Sequence, residues 1–261
     1  MFCPLCGKEI PEAYAGVRCP SCGGSLTAGA AGGGGPVPPS APAPGGIPWE
    51  NRASLGFFPA LLQNIRSCLF EPDSFFGRMP KRANLGSALG YVALLGWVGV
   101  VAGSLWDLAL RERALDFARS MGFDLPQQTL SPAFQVVGQI MKIVLAPLLV
   151  LIVVFLWSGI LHVCLWVFGG AREGFEATVR VVSYAWGSAA PFYLVPICGG
   201  FVALVWSLVG QIIGLAKAHE IPPGKAAVAV LLPLALCCVV AGICILLFAG
   251  IFFAALKGGG A

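Results

Sequence analysis

The chain has 261 residues, of which 57% are hydrophobic and only 11% are charged, and its formal net charge is +4. Soluble globular domains carry about 25% charged residues, so this composition excludes an ordinary soluble enzyme. Four stretches, at 85–106, 143–168, 181–216 and 226–256, contain no charged side chain. Charge-free apolar stretches of about 18 residues or more indicate membrane spans. The sequence therefore predicts an all-α polytopic membrane protein.

Residues 1–26 precede these stretches and contain two CPxCG turns, whose CxxC pairs are separated by twelve residues. The turns carry four cysteines, which are Cys3, Cys6, Cys19 and Cys22. Four thiolates suit a tetrahedral Zn²⁺ ion and leave no ligand position for water, so we expect a structural zinc ribbon. A segment this short buries too little apolar surface to fold alone, and the metal would supply most of its folding free energy.

Two disulfides are the alternative arrangement of these four cysteines. No secretory signal pattern precedes them, and paired CPxCG turns are typical of a shared metal, so we favour zinc. The ribbon mixes basic and acidic side chains, Lys8 and Arg18 with Glu9 and Glu12, and forms no basic stripe. We therefore expect a protein partner for the ribbon rather than nucleic acid.

Residues 27–48 contain no charged side chain, and thirteen of these 22 residues are Gly or Pro. Such a composition cannot build a core, so this segment is predicted to be a linker that tethers the ribbon.

Residues 49–84 are predicted to form an interfacial amphipathic segment. A helix over 54–70 places apolar side chains within one arc, namely Phe58, Leu61, Leu62, Ile65 and Leu69. We expect this arc to face the acyl chains at the membrane surface. A second short interfacial element is expected over 75–80.

Residues 85–261 are predicted to form the helical membrane domain, with about five transmembrane helices. A single helix over 181–216 would be about 54 Å long, far more than the roughly 30 Å hydrocarbon core, and Pro196 and Gly199 supply a turn. The predicted spans are 85–106, 143–168, 181–197, 200–216 and 226–256; re-entry of the 181–216 region is left open. The pairs Gly86–Gly90, Gly99–Gly103 and Gly210–Gly214 have the GxxxG spacing that favours close helix packing.

Few polar groups stand out within the membrane domain. His162 is the only histidine, lysine, arginine or acidic side chain inside a predicted span, and we expect a structural role with Ser158 as its partner. Adjacent Cys237 and Cys238 suggest redox transfer, but thiols in an apolar run usually act as small hydrophobic side chains. The group Arg172, Glu173, Glu176 and Arg180 is predicted to be a solvated helix start, with a partner-docking site as the alternative.

Lysine and arginine near the span ends predict a cytosolic N-terminus and five crossings. The nine basic residues placed in the cytosol are Arg52, Arg66, Arg78, Lys81, Arg82, Arg172, Arg180, Lys217 and Lys225. The five on the opposite side are Arg111, Arg113, Arg119, Lys142 and Lys257. A reduced zinc site also favours the cytosol.

The membrane part resembles the Yip (Ypt-interacting protein) domain family over roughly residues 55–256. The resemblance is carried by FEPDSFFGRM at 70–79, GFEATVRVVSYA at 174–185, Pro191, Pro196 and WSLVGQIIGLAKAH at 206–219. It implies five spans and a cytosolic N-terminal region. In eukaryotes, such proteins bind prenylated Rab-type GTPases and act in vesicle traffic. The zinc ribbon and the frequent Gly, Ala and Pro indicate a prokaryotic member in the cytoplasmic membrane.

Three classes of function compete. The leading one is a non-enzymatic membrane scaffold or adaptor that binds a protein partner through its zinc ribbon or cytosolic loops; a second copy of the chain is a further candidate partner. The alternative is a transporter or channel for a small, weakly charged solute. The third, an intramembrane enzyme, is disfavoured because the sequence lacks HExxH, GxSxG and paired intramembrane aspartates.

Overall fold

The computed structural model describes residues 46–122 and 132–258, and every regular element in these ranges is helical. The helices are α1 (Arg52–Leu55), α2 (Phe57–Phe70), α3 (Pro72–Arg78), α4 (Leu85–Ser120), α5 (Pro132–Val167), α6 (Phe175–Ala189), α7 (Gly199–Ala218) and α8 (Pro223–Gly258). Short 3₁₀ turns lie at Pro48–Asn51 and Ala190–Leu194. The predicted all-α class is therefore confirmed for the described residues.

Within the described ranges, four helices are long and apolar enough to cross a membrane, namely α4, α5, α7 and α8. Helices α4, α5 and α8 each contain 36 residues. A straight helix of that length is about 54 Å long, so all three extend beyond a hydrocarbon core of about 30 Å. The spans expected at 85–106 and 143–168 are thus parts of longer helices.

The expected span at 181–197 falls on α6 and the 3₁₀ turn after it. Helix α6 has 15 residues and is not among the four candidate spans. The chain breaks before α7 next to Pro196, and Ile197 has a positive φ of 66° there. A count of five crossings therefore stays a prediction.

Helix α6 forms the centre of the bundle, with twelve of its fifteen residues buried. It packs against α2, α4, α5 and α7. Small residues permit this close approach: a Cβ on Gly187 would lie 2.7 Å from the Tyr91 ring, and one on Gly214 would lie 2.5 Å from Val181. Burial on all sides explains why α6 is short yet central.

The two segments expected at the membrane interface pack on the bundle. In α2, the buried face is Ala60, Asn64, Cys68 and Leu69, whereas Phe58 and Leu62 of the predicted arc are exposed. In α3, Phe75 and Phe76 are buried, so the short element expected over 75–80 packs on the bundle, and its interfacial position stays a prediction. Exposed Phe58 and Leu62 still leave α2 an apolar outer surface for lipid.

The glycine pairs behave differently from one another. Gly210 and Gly214 pack against Ala185 and Val181 of α6, which confirms the predicted close contact. In contrast, a Cβ on Gly90 or Gly103 would meet nothing within 4 Å. The Gly86–Gly90 pair is therefore not a helix contact, and Gly103 faces open space.

Candidate functional site

The four predicted zinc ligands, Cys3, Cys6, Cys19 and Cys22, lie outside the described residues. Within 46–122 and 132–258, no group of three or more His, Cys, Asp or Glu side chains could hold a metal ion. Cys237 and Cys238 are free thiols on an exposed part of α8. The polar residues that do come together lie at one end of the bundle.

We call this end, formed by segments 79–84, 168–174 and 219–222, the charged end. Lys81 links two of these segments, because its ammonium lies 2.5 Å from the Glu220 carboxylate and 3.2 Å from that of Glu173. The hydrogen bond to Glu220, together with that to Glu173, raises the pKa of Lys81. Arg172 also donates to the Glu220 carbonyl at 2.9 Å. These contacts fasten three loops to one another.

A chain of three side chains lies beneath the charged end. Thr178 on α6 stands between two histidines: its Oγ1 is 3.0 Å from Nε2 of His219 and 2.9 Å from Nδ1 of His162. On the other side, Nδ1 of His219 lies 3.1 Å from the backbone nitrogen of Glu173. Thr178 and His219 are fully buried. The chain thus connects α5, α6 and the end of α7.

The direction of these hydrogen bonds follows from one fixed donor. The backbone N–H of Glu173 can only donate, so Nδ1 of His219 accepts and the ring proton of neutral His219 lies on Nε2. That proton is donated to the Thr178 hydroxyl. The direction of the bond between Thr178 and Nδ1 of His162 depends on the His162 tautomer. A proton added at Nδ1 of His219 would break the bond from Glu173. The arrangement therefore favours neutral His219.

The prediction that Ser158 is the hydrogen-bond partner of His162 is wrong. Ser158 is buried but its hydroxyl has no hydrogen-bond partner, and His162 is bonded to Thr178 instead. Sequence reasoning also missed His219, which directly follows α7 and whose position at a helix end was the available signal. Both histidines join separate helices through Thr178. A structural role for His162 stays a prediction that these contacts support.

Protonation of His219 is expected to weaken the fold. Burial lowers the pKa of His219 to about 4, with the nearby His162 as a lesser cause. The unfolded chain binds this proton with a pKa of about 6.5, so the stabilisation is complete above that pH and is lost as the pH falls toward 4. With allowance for solvent screening, the loss is about 2 kcal/mol.

The variant His219→Gln tests this expectation, since its amide oxygen can still accept from Glu173. Thermal unfolding of the full chain in detergent, measured between pH 7.5 and pH 4.5, should show a smaller pH-dependent loss for the variant than for the parent. An equal loss in both proteins would assign the pH dependence to other groups.

A buried ion pair joins α6 to the segment before α1. The Arg180 side chain has no exposed surface, and its guanidinium binds the Glu50 carboxylate. Glu50 also accepts from the Tyr184 hydroxyl at 2.9 Å. A second Arg180 nitrogen lies 3.4 Å from the carbonyl of Asn84, at the charged end. Arg180 therefore is not part of a solvated helix start, contrary to the expectation from sequence.

The other members of that predicted group remain at the surface of the charged end. Arg172 is exposed, and Glu173 is paired with Lys81. Glu176 accepts from the backbone nitrogen of Ala83 at 3.3 Å. Carboxylates here hold loop 79–84 against the start of α6, which is a structural task that the sequence pattern did not indicate.

A comparison with known protein families identifies the family to which this helical architecture belongs. The family model described as the Yip1 domain matches residues 66–256, more than two thirds of the 261-residue chain. No curated protein and no solved structure matches the chain. The matched region begins within α2, ends within α8 and includes α6 with its buried Arg180. Together with four apolar helices of membrane-spanning length, this match shows that the chain is an integral membrane protein belonging to the Yip1-domain family.

Proposed function

We propose that the chain is a non-enzymatic membrane scaffold of the Yip type, in which a cytosolic zinc ribbon, tethered by the linker, docks a protein partner. The observation that carries this proposal is the anchoring of the segment just after the linker. Trp49 is buried, and Glu50 binds Arg180 in the centre of the bundle. Because Arg180 also contacts Asn84, the chain that leads to the ribbon starts at the charged end.

The loops of the charged end suit a docking role. They present Lys81, Arg172 and Glu220 in a bonded array that holds its shape without a partner. Preorganised surfaces lose less entropy on binding than mobile ones. The loops of the charged end are therefore a second candidate docking surface for a protein partner, besides the ribbon.

The Thr178 hydroxyl lies between two imidazoles and so resembles a catalytic nucleophile beside its general base. Such an arrangement would favour an enzymatic function. Thr178 and His219 have no exposed surface, however, so a substrate could not reach the hydroxyl. We therefore assign the chain a structural rather than a catalytic role.

The zinc ribbon is tested by elemental analysis of the purified full chain. We expect one zinc per chain, bound by Cys3, Cys6, Cys19 and Cys22, and its loss in Cys19→Ser. The matched control is Cys198→Ser, which removes an exposed thiol of the membrane domain and should keep the zinc. Crosslinking in cells should capture a defined cytosolic protein with the parent and the control but not with Cys19→Ser. Zinc-free protein with four disulfide-bonded cysteines would contradict the proposal.

The proposed orientation has the N-terminus in the cytosol and the C-terminus on the opposite side, after five crossings. The nine basic residues predicted for the cytosolic side, against five for the opposite side, support it. With reporters fused after Ala261, alkaline phosphatase should be active and green fluorescent protein dark. The reverse result would mean an even number of crossings, and the hairpin at 196–200 would have to be abandoned.

A transporter is the second candidate, because a cavity opens within the membrane domain between α4, α5 and α7. Trp157, Trp186 and Gln211 lie across its inner end, and the Trp157 indole donates to Gln211 at 2.7 Å. Hydrogen-bonded side chains cross the cavity at one end. The cavity therefore suits the binding of a molecule better than its passage through the membrane.

A further inference from the structure

The cavity has a volume of about 620 Å³ and lies between α4, α5, α7 and the 3₁₀ turn after α6. Ligand pockets commonly enclose about 300–1,000 Å³ and are mostly apolar with a few placed polar groups. This cavity has that character: most of its lining is aliphatic, aromatic or glycine, and charged side chains occur only at Asp107 and Lys142.

Small residues on α4 create the space. Gly96, Gly99 and Gly103 all line the cavity. Gly96 lies against Val150 and Gly99 against Tyr193, with Cβ positions 3.0 Å and 3.2 Å from these side chains, whereas Gly103 faces a void. The helices are thus held apart at Gly103 while they touch at Gly96 and Gly99.

The cavity is elongated along the helices. Its lining runs from Val92 to Asp107 on α4 and from Lys142 to Trp157 on α5, which is sixteen residues on each helix. That length corresponds to about 22 Å, about three quarters of a hydrocarbon core of about 30 Å. The cavity is therefore long enough for an acyl chain, and the charged residues lie at one of its ends.

The position of those charges relates the cavity to the bilayer. Asp107 directly follows the charge-free stretch 85–106, and Lys142 directly precedes the charge-free stretch 143–168. Both side chains are partly exposed. The mouth of the cavity thus lies at headgroup depth and its apolar interior lies at acyl-chain depth.

The mouth presents charges of both signs. Lys142 and Asp107 form an ion pair of 3.3 Å across α4 and α5. Arg111, one turn further along α4, is bound to Gln135 of α5. A headgroup that carries a phosphate and a primary ammonium can satisfy Lys142 and Asp107 together. A purely anionic headgroup would meet repulsion from Asp107.

We propose that this cavity binds one phosphatidylethanolamine molecule from the leaflet opposite the charged end. One acyl chain occupies the space beside Gly103 and reaches toward Trp157 and Trp186. The phosphate lies at Lys142 and the ammonium at Asp107. This site is independent of the ribbon and of any protein partner.

The test uses the full chain, equilibrated in detergent with equal amounts of phosphatidylethanolamine and phosphatidylglycerol and then freed of excess lipid. Retained lipid is measured by mass spectrometry. We expect about one phosphatidylethanolamine per chain and about tenfold less phosphatidylglycerol, the effect of one charge-assisted contact. Gly103→Leu should fill the void and lower retention about tenfold. Gly90→Leu is the matched control, because Gly90 lies on the same helix, is exposed and does not line the cavity.

Two further variants test the assignment of the lipid headgroup. Asp107→Asn and Lys142→Gln are at partly exposed positions and should fold normally, and each should reduce the preference for phosphatidylethanolamine over phosphatidylglycerol. Arg113→Gln, which changes an exposed charge outside the lining, should leave it unchanged. The proposal is overturned if the parent retains no phospholipid, if both lipids are retained equally, or if Gly103→Leu and Gly90→Leu retain equal amounts. If Gly103→Leu fails to fold, unchanged selectivity in Asp107→Asn and Lys142→Gln overturns it as well.

Discussion

Replacing Arg180 with methionine is expected to lower the free energy of unfolding by about 3–5 kcal/mol, the usual cost of removing one partner of a buried ion pair. The guanidinium is fully buried and binds Glu50, whose carboxylate is largely buried. In the variant, the Glu50 carboxylate would keep only the hydrogen bond from Tyr184. Methionine fills most of the arginine volume, so the lost charge rather than a void accounts for the effect.

The pair Arg180 and Glu50 can be separated from simple loss of packing by a double-mutant cycle. Glu50→Gln alone should also destabilise, because it leaves the Arg180 charge unpaired. Arg180→Met with Glu50→Gln should lose less than the sum of the two, by about 0.5–3 kcal/mol. Unfolding by sodium dodecyl sulfate, followed by circular dichroism, gives these values.

A matched control is the exposed ion pair of Arg119 and Asp116 on α4, which also joins an arginine to a carboxylate, at 2.9 Å. Exposed pairs contribute about 0–1 kcal/mol, so Arg119→Met should have little effect. Equal losses in Arg180→Met and Arg119→Met would show that the buried pair is not a special feature of α6.

The helices of the membrane domain were readily predicted because hydropathy is a property of neighbouring residues. Charge-free stretches predicted α4, α5, α7 and α8, and Pro196 indicated the break before α7. The ends were less well predicted, since a helix continues past the membrane boundary wherever its residues permit, as α4 does to Ser120.

The candidate site was harder to predict because its contacts join distant parts of the chain. Arg180 and Glu50 are 130 positions apart, and His219 and Thr178 are 41 positions apart. From sequence, Arg180 looked like one charge in a solvated group. Only the packing of α6 against the segment before α1 reverses that interpretation.

The glycines of α4 also show that contacts between distant parts of the chain are hard to predict from sequence. The GxxxG spacing of Gly99 and Gly103 predicts a face that can approach a neighbour closely, and Gly99 does pack against Tyr193 and Ala190 of the 3₁₀ turn. Whether another part of the chain packs against such a face depends on where the other helices lie. A Cβ on Gly103 would meet no atom within 4 Å. The void that carries the lipid proposal is therefore a tertiary property.

Replacing Trp49 with alanine is expected to have an effect of similar size, about 3–5 kcal/mol for a large buried aromatic side chain. Trp49 is 4% exposed, and its ring lies 5.4 Å from the rings of Phe57 and Tyr91. Its indole N–H donates to the Ser87 carbonyl at 2.9 Å, and its backbone N–H donates to Asn64 at 3.2 Å. Loss of the ring would remove the packing that holds the start of the membrane domain.

Trypsin cleavage after Arg52 measures this loss of packing locally. In the parent, its guanidinium donates to the Trp49 carbonyl at 3.0 Å and to the Ser87 hydroxyl at 2.9 Å, which fixes the chain around the peptide bond that trypsin would cut. In Trp49→Ala, the segment should open locally at a lower free energy than the rest of the bundle. Trypsin should then cut after Arg52 faster than in the parent, while the helices of the membrane domain stay intact.

The control is Phe58→Ala, because Phe58 is an aromatic residue nearby that is 71% exposed and contributes little packing. Its cleavage rate after Arg52 should equal that of the parent. If Trp49→Ala and Phe58→Ala are cut equally slowly, Trp49 does not anchor this segment. That result would contradict the anchoring of the segment after the linker, which is the observation that carries the proposed scaffold function.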